Sequence, residues 1–543
     1  MSRSVYKFGA ICVALVLFTS APIWGVQYFI NQDGSGHVHT AWMMLEMVRG
    51  NPRIADMHQF NLITFPNVGG HWMLAFFLLF TSAFTATKLM MSITYVGFVA
   101  AVGWLRWNTS GRDGLLLSVV FAAAIGFNFL WLIGFYNFLL GLIIAIFGVG
   151  LCYRWRERFV AWHAAVLSVL IVAAFLCHIV SFAIFGLALA AMAWIPVSLI
   201  SFRKLALTAA ALVPVTPLVF LYRANTEAGG PMVPVWRHLG DNIASPIAWI
   251  NQLRSVDSFV LISRSAFPFT DVETPLFGVF APVLYIAGAL LLLVLGSVLR
   301  HRKQRGCLVA DGSLPFVVLS GLLLLFSVFA PDDIQFSTSE GGLLRERLFL
   351  AGLAFAVPLV GLEGMRTVFS RAAVGLLAFV VVFQTLVVWE YALQSDQEAR
   401  EFFSVSQAIP EGASAAGVTI RPRGFRFAAT PIPSINNYNG IGRDVRLWDN
   451  YELGHNYFPV VTRSREDHEF VRKFTQNNAY ALDRPEQMRE ERIEILRSLL
   501  TSQPRRIDTL VVWGSEPSVD AAIYAGFSEM PVYQNGNVRV FRR

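Results

Sequence analysis

Residues 8–39 read FGAICVALVLFTSAPIWGVQYFINQDGSGHVH, and the change of character at Ile30 decides the architecture. The apolar run from Phe8 to Phe29 is long enough to span a bilayer as a helix. It is preceded by Arg3 and Lys7 and ends in Trp24, Gln27 and Tyr28 rather than in small residues. It therefore reads as a retained anchor and not as a cleaved leader. The basic residues before it predict a cytoplasmic N-terminus, which places the polar stretch that follows on the outer side.

The rest of the chain agrees with a bilayer as solvent. Of 543 residues, 55% are hydrophobic and only 15% charged, a balance that excludes a soluble protein of this length. Mean hydropathy is +0.54. Apolar segments recur near 72–86, 89–105, 114–133, 137–153, 162–177, 180–199, 205–221, 276–299, 314–330, 348–363 and 372–391, which predicts about eleven crossings. The net charge of +7 resides in this membrane part, because the tail beyond residue 391 carries equal numbers of acidic and basic residues. Arg154, Arg156 and Arg158; Arg203 and Lys204; His301, Arg302, Lys303 and Arg305; and Arg366 with Arg371 mark the cytoplasmic loops, each cluster two crossings from the next. An even number of crossings must precede Arg154, yet five apolar segments lie there. Either 114–133, broken by Gly126, Asn128 and Gly134, is re-entrant, or the 71–105 region crosses only once.

The expected fold is mainly α, a polytopic helical membrane bundle over residues 1–391 with an outer loop at 30–71, followed by a small soluble α/β domain over 392–543. In that tail, 416–420 and 509–513 read as buried strands and 485–500 as a helix with Met488, Ile493, Leu496 and Leu500 on one side. A second short helix spans 519–527, and a terminal hairpin turns at Asn535-Gly536. No glycine-rich phosphate loop, nucleophile elbow or zinc pattern is present in the tail. Three of the four cysteines lie in apolar runs and the tail has none, so no disulfide framework is predicted.

The outer loop at 30–71 is the densest in chemistry. Asp33 follows directly on the first crossing, among glycines that allow close backbone approach to a ligand, with His37 and His39 next and His58 and His71 later in the loop. Val38, Ala41, Trp42, Leu45 and Val48 recur at helical spacing, which predicts a helix lying along the membrane surface, and Asp33 is also placed to cap it. Residues two apart on a helix point about 200° from one another, so His37 and His39 do not face one ion. The spacing matches no zinc pattern; no metal is assigned, although a divalent ion joined by His58 and His71 stays open. Arg345 and Arg347 enter the segment near Leu348 at the outer boundary, where their guanidinium forks suit a lipid phosphate or, paired with Glu346, a snorkelling role. His178 lies between two apolar runs with no charge beside it, a position that points to function at the membrane. Lys88 reads as a cytoplasmic hairpin charge. Residues 446–451 and 455–457 combine aromatic faces with amides, as a sugar site or as turn packing would.

A first crossing, an outer loop with an early Asp and a juxtamembrane helix, many further crossings and an outer C-terminal domain resemble the GT-C superfamily of polyprenyl-phosphate-sugar-dependent glycosyltransferases. That group includes protein O-mannosyltransferases, oligosaccharyltransferases and the transferase that adds aminoarabinose to lipid A. The stretch from Asp33 to Gly50 is similar to the family's first-loop pattern, Phe135-Tyr136-Asn137 to its aromatic-Tyr-Asn element, and Cys177-His178 to a His on an outer turn. Many members carry paired acids where this chain has Asp33-Gly34. The resemblance implies transfer of a hexosyl or pentosyl unit from a polyprenyl-phosphate donor to a lipid, glycan or protein acceptor on the outer face of a bacterial inner membrane. The carry-over is limited to Asp33, which would then be the catalytic base, while His37, His58, His178, Arg345 and Arg347 are candidates for binding substrate or phosphate from their own positions. No nucleic acid is an expected partner. The competing classes are a non-catalytic or polymerase-type component of surface-polysaccharide assembly and a transporter; the latter is disfavoured by the absence of a detectable internal repeat.

Overall fold

The computed structural model describes residues 3–61, 66–112, 114–195, 201–227, 311–329, 334–336, 339–341, 343–360, 367–421, 429–481, 486–502 and 506–543, with 259, 261, 288, 289 and 427 as isolated positions. Apart from Gly288 and Ala289, the expected crossing at 276–299 lies outside them, as do the acidic residues Asp332 and Asp333 that precede Arg345. Helices dominate, as the apolar runs require: α1 Arg3–Trp24, α2 Gly34–Val48, α3 Pro52–Met57, α4 Gly69–Leu78, α5 Ala83–Ser110, α6 Leu115–Gly126, α7 Phe129–Ile133, α8 Tyr136–Arg154, α9 Ala161–Cys177, α10 Ile179–Trp194, α11 Phe202–Leu212, α12 Thr216–Glu227, α13 Leu314–Phe329, α14 Leu344–Ala356 and α15 Thr367–Phe403. Among the described residues, four helical stretches are long and apolar enough to cross a membrane: Ala83–Ser110, Tyr136–Arg154, Phe202–Ala224 and Arg371–Ala408. Shorter apolar helices, α1, α6, α9, α10 and α13, stand beside them.

Before Arg154, the packing places the segment 114–133 along α5. α6 and α7 run antiparallel to the whole of α5: Gly114 meets Arg106, Gly103 meets Val119, Tyr95 stacks on Phe127 at 4.2 Å, and Trp131 Nε1 donates to the Met91 carbonyl at 3.1 Å. The segment 114–133 thus packs within the bundle beside α5. Its break is healed by Asn128, whose amide donates to Ile125 and Gly126 carbonyls at 3.1 and 2.9 Å while its oxygen accepts from Trp131 N at 3.0 Å. These bonds satisfy backbone groups that lipid would leave unmet. Within the 71–105 region α5 is long and apolar enough to cross, whereas α4 has only 10 residues, about 15 Å of helix. Lys88 is accordingly not a hairpin charge. It lies inside α5, buried, bonded to the Val26 carbonyl and next to Thr87, whose hydroxyl meets Tyr438 of the tail at 2.9 Å. Hydropathy was silent on this because a helix buried in protein is as apolar as one in lipid. Small residues let neighbouring helices close up, as where Gly141 and Gly148 of α8 face Ser181 and Phe185 of α10.

The tail is an α/β domain, as predicted. Its sheet centres on β4 Ser414–Arg421, which pairs in parallel with β5 Arg446–Leu447 and β7 Ala479–Ala481 and, on its other edge, with β8 Thr509–Trp513. β8 continues antiparallel to β10 Val538–Arg542, which returns to β9 Tyr533–Asn535 through Gly536 at φ +53°. Helices α16 Arg465–Asn477, α17 Glu486–Thr501 and α18 Pro517–Tyr524 join these strands, with Phe470, Phe474, Leu496, Leu500 and Ile523 in the core. The boundary drawn at residue 391 falls inside α15, which runs on to Phe403.

First loop and tail are built into each other. β1 His58–Phe60 pairs antiparallel with β6 Val460–Thr462, and Met43, Met44, Ile54 and Val68 belong to the tail's core. The exit of α1 is clamped by α15, where Asp396 accepts from Tyr28 N at 2.6 Å, Ser395 from Ile30 N at 2.9 Å, and Tyr391 donates to the Ile30 carbonyl at 2.8 Å. Helix α2 does not lie free on a membrane surface. Residues 34–41 are buried on every side, Val38 and Ala41 in the bundle core and Met43 and Met44 against the tail, so its amphipathic pattern reflects two protein faces of unequal polarity.

Candidate functional site

The site assembles where α2, the start of α4, the α7–α8 junction and the tail converge. Asp33 occupies the N-cap position of α2 yet makes no side-chain cap bond, so the structural role open to it in the sequence is not the one it plays. Its backbone N–H donates instead to Ile133 O at 2.8 Å. Burial and the neighbouring Glu452 push its carboxyl up to about 7, with His37 pulling the other way. The glycines around it serve the protein rather than a ligand. A Cβ on Gly34 would strike the Asn31 amide and Tyr136 hydroxyl, and one on Gly36 would stand 3.2 Å from Tyr451 Cε1.

Beside Asp33 is a buried cluster that unites three distant parts of the chain. His37 of α2, His71 of α4 and Glu452 of the tail bring one ligand atom each within 4.8 Å of one another. Glu452 and His71 are fully buried and His37 nearly so. The Glu452 carboxylate meets His37 Nδ1 through Oε1 and His71 Nε2 through Oε2 at 2.9 Å. The rings of His37 and His71 stand edge to face, 5.2 Å apart, with Phe458 closing over both. Burial alone would raise the Glu452 carboxyl, but His71 and His37 outweigh it and hold it well below the usual carboxylate range. His37 is correspondingly raised: Glu452 and Asp33 outweigh its own desolvation. Glu452 is aimed by a short 3₁₀ turn, Tyr451–Gly454, capped by Asn450 Oδ1 on Glu452 N at 3.1 Å, and Asn450 is itself held by His39 and Thr40 at 3.1 Å each.

The Phe135-Tyr136-Asn137 triplet organises this junction. Tyr136 Oη donates to Asn31 Oδ1 at 2.9 Å, and Asn137 accepts from Gly70 N at 2.6 Å and donates to Asn67 O at 3.1 Å. Phe135 lies under the Arg347 guanidinium, 4.8 Å from its ring centre, with Phe138 at 5.6 Å. Arg347 is buried, its Nη1 is 3.3 Å from His178 Nε2, and its Nε has no hydrogen-bond partner among the described residues. His178 caps α10 by accepting from Val180 N through Nδ1 at 3.1 Å, which orients Nε2 toward the arginine.

Of the residues singled out from sequence, the fold therefore groups Asp33 with His37 and His71, and His178 with Arg347. Arg345 is buried on the same helix as Arg347 but two residues away, hence about 200° around it. His58 stands apart, in β1 near the Arg446–Asp467 pair of the tail, and burial holds it down to about 4. His39 turns away from His37, as helical spacing predicted, stacking on Trp42 at 5.7 Å. Within 446–451, Trp448 packs in the tail core and Tyr451 walls the cluster together with Phe458, which follows the 455–457 stretch. Glu452 was missed in the sequence, although it lies between the two aromatic-amide stretches that were noticed.

Comparison with known proteins adds a fold to this geometry. No protein family and no curated protein matches the sequence. The solved structure of ArnT from Cupriavidus metallidurans bound to undecaprenyl phosphate aligns over 99% of this chain and 97% of its own, with a TM-score of 0.50 at 11% identity. An oligosaccharyltransferase from Archaeoglobus fulgidus tethered with an acceptor peptide aligns over 96% of this chain and 70% of its own, with a TM-score of 0.47 at 10% identity. The chain is thus a polytopic membrane protein with the GT-C fold. The alignment with ArnT runs over nearly the full length of both chains.

Proposed function

We propose that this protein is a membrane glycosyltransferase that moves a sugar from a polyprenyl-phosphate donor to a hydroxyl-bearing acceptor at the tail side of the bilayer. The observation that carries the reading is Arg347: a buried guanidinium with an unmet Nε donor, next to the Asp33 cluster across Phe135 and Tyr136. A buried donor without an acceptor is costly, and a lipid-linked phosphate would supply one bidentately. The ArnT of the same fold is bound to undecaprenyl phosphate, which supports this class of donor. Asp33, partly exposed at the edge of the cluster and not engaged as a cap, takes the acceptor's proton; a carboxyl near 7 is matched to that task. Arg347, oriented by His178, holds the departing phosphate. In reconstituted vesicles supplied with polyprenyl-phosphate-linked sugars, Arg347→Ala should raise the KM for donor and lower kcat, and Arg347→Lys should restore charge but not the fork. Unchanged donor kinetics in both variants would remove Arg347 from the site.

A further inference from the structure

The tail sheet has a topological switch point whose lining shares no residue with the Asp33–Glu452 cluster. From β4 the chain passes to β5 and β7 on one edge and then returns to β8 on the other, so the neighbouring strands β4 and β8 lead away in opposite directions. A crevice opens beyond the carboxyl ends of such a parallel pair, and open sheets of this kind take their ligands there. In this protein it is a cavity of about 250 Å³, walled by Thr419 of β4, by Trp513 and Ser515 at the end of β8, and by Gln394 and Glu398 of α15. Gly514 makes the close approach possible: it lies at φ +84°, and a Cβ there would stand 2.5 Å from the Ile420 carbonyl oxygen. The walls are fixed to one another. Asn537, on the rim, donates its N–H to Glu401 of α15 and accepts from Gly514 N at 2.8 Å through its carbonyl, while Phe402 backs the Trp513 ring at 6.3 Å.

The groups lining this crevice suit hydroxyls rather than phosphate. Glu398 Oε1 accepts from Gln394 Nε2 at 2.7 Å, whereas its Oε2 is buried with no hydrogen-bond partner among the described residues. A buried acceptor left unmet is costly, and an ionised carboxylate only accepts, so what meets it must donate. The helix start beside the crevice is closed to anions, because the Glu516 carboxylate already caps α18 on Val519 N at 2.9 Å. Arg421 lies on the same wall as Glu398, so the formal charges of the lining cancel. Thr430 adds a second hydroxyl to that of Thr419, and Ile420 and Ile432 join Trp513 as apolar wall, a mixture that matches the hydroxyls and C–H faces of a sugar ring. The volume lies below the roughly 300 Å³ at which pockets for drug-sized ligands begin, which fits one such ring rather than a larger ligand. The crevice also borders the first loop, where Thr430 N donates to Gln32 Oε1 at 3.4 Å, one residue before Asp33. We propose that it binds one neutral sugar unit of the acceptor, with Glu398 accepting from the hydroxyls, so that the acceptor is a carbohydrate. Its use as an acceptor subsite rests on the transferase reading.

The test uses the full-length protein in nanodiscs and begins without a donor. Methyl glycosides of glucose, mannose, galactose and N-acetylglucosamine are offered singly at millimolar concentration, and saturation-transfer NMR should show at least one of them bound. Glu398→Gln, which preserves the side-chain volume, should raise its Kd by about tenfold or more, the loss expected for hydrogen bonds to a charged group, and Thr419→Val should raise it less. A diazirine-bearing form of the same glycoside should cross-link wild type in the peptides that hold residues 394–398 and 513–515, which locates the ligand even if neither variant folds. Binding of none of the glycosides, cross-links only elsewhere, or an unchanged Kd in folded Glu398→Gln would overturn the pocket. With the bound glycoside as acceptor in a transfer assay, Glu398→Gln should raise the KM for glycoside and leave that for donor unchanged, the reverse of Arg347→Ala. Sugar binding without transfer would sink the transferase reading and leave the pocket standing, whereas transfer without sugar binding would sink the pocket alone.

Discussion

Glu452 of the tail lies 2.9 Å from Nε2 of His71, a residue of the first outer loop separated from it by 381 positions in sequence. That contact makes the soluble domain part of the site rather than an appendage to it. The first loop and the helices that follow it, α2 and α4, supply Asp33, His37 and His71, and the tail supplies the buried carboxylate that holds the histidines in place.

Removing this carboxylate should loosen the tail. Glu452→Ala leaves two buried imidazoles facing a void, a change of the kind that costs about 3–5 kcal/mol in buried charge clusters. Limited proteolysis of the purified protein should then release the tail at protease concentrations that spare wild type. Glu452→Gln, which preserves the volume, should cost less; equal resistance of wild type and Glu452→Ala would show that the contact does not hold the domains together.

Asp33 separates chemistry from folding. Because its side chain makes no cap bond, both Asp33→Asn and Asp33→Ala should insert and melt close to wild type, a different expectation from that for a capping Asp. Transfer should fall by about 10²-fold or more in each, the loss typical of a missing general base. A fully active Asp33→Asn would move the search for the base elsewhere.

Acid should weaken the tail through its buried histidines. Burial, with Arg446 adding to it, holds His58 down to about 4, and burial with His468 and Arg472 does the same for His455. Unfolded imidazoles protonate near 6.5, so between pH 6.5 and 4 the unfolded state binds more protons and stability falls as the pH is lowered. Above pH 7 these two groups contribute no slope. Unfolding free energies from urea titrations should therefore fall between pH 6.5 and 5 by on the order of 2 kcal/mol more in wild type than in His58→Gln, and run nearly parallel in the two between pH 8 and 6.5.

Gly36→Ala tests the close approach of α2 to the tail. The new methyl would sit 3.2 Å from Tyr451 Cε1 and 3.3 Å from Asn450 Oδ1, both held by packed neighbours. Overpacking of this kind costs roughly 1–3 kcal/mol. A melting temperature indistinguishable from wild type would mean that the turn at Tyr451 yields freely.

Topology is checked by cysteine labelling. If α5 alone crosses within 71–105, a cysteine at Thr81, before α5, should react with an impermeant reagent from the tail side, and one at Arg112 from the opposite side. Labelling of both from one side would restore the two-crossing alternative.

What the residues determine alone is local and periodic. The strand at 509–513, the helix near 485–500, the hairpin at Asn535-Gly536 and the run of apolar helices were all legible, because alternation, helical spacing and turn chemistry act within a few neighbours. Asp33 and its histidines were also visible as charge out of place after a crossing. Tertiary structure alone decided that 114–133 packs along α5, that α2 is enclosed, and that His71 rather than His58 joins His37. Hydropathy measures transfer out of water and does not distinguish a protein neighbour from lipid. Glu452 had no local signature at all: its meaning comes from two imidazoles that the chain delivers from nearly four hundred residues away, and only the closed fold brings those rings to one point.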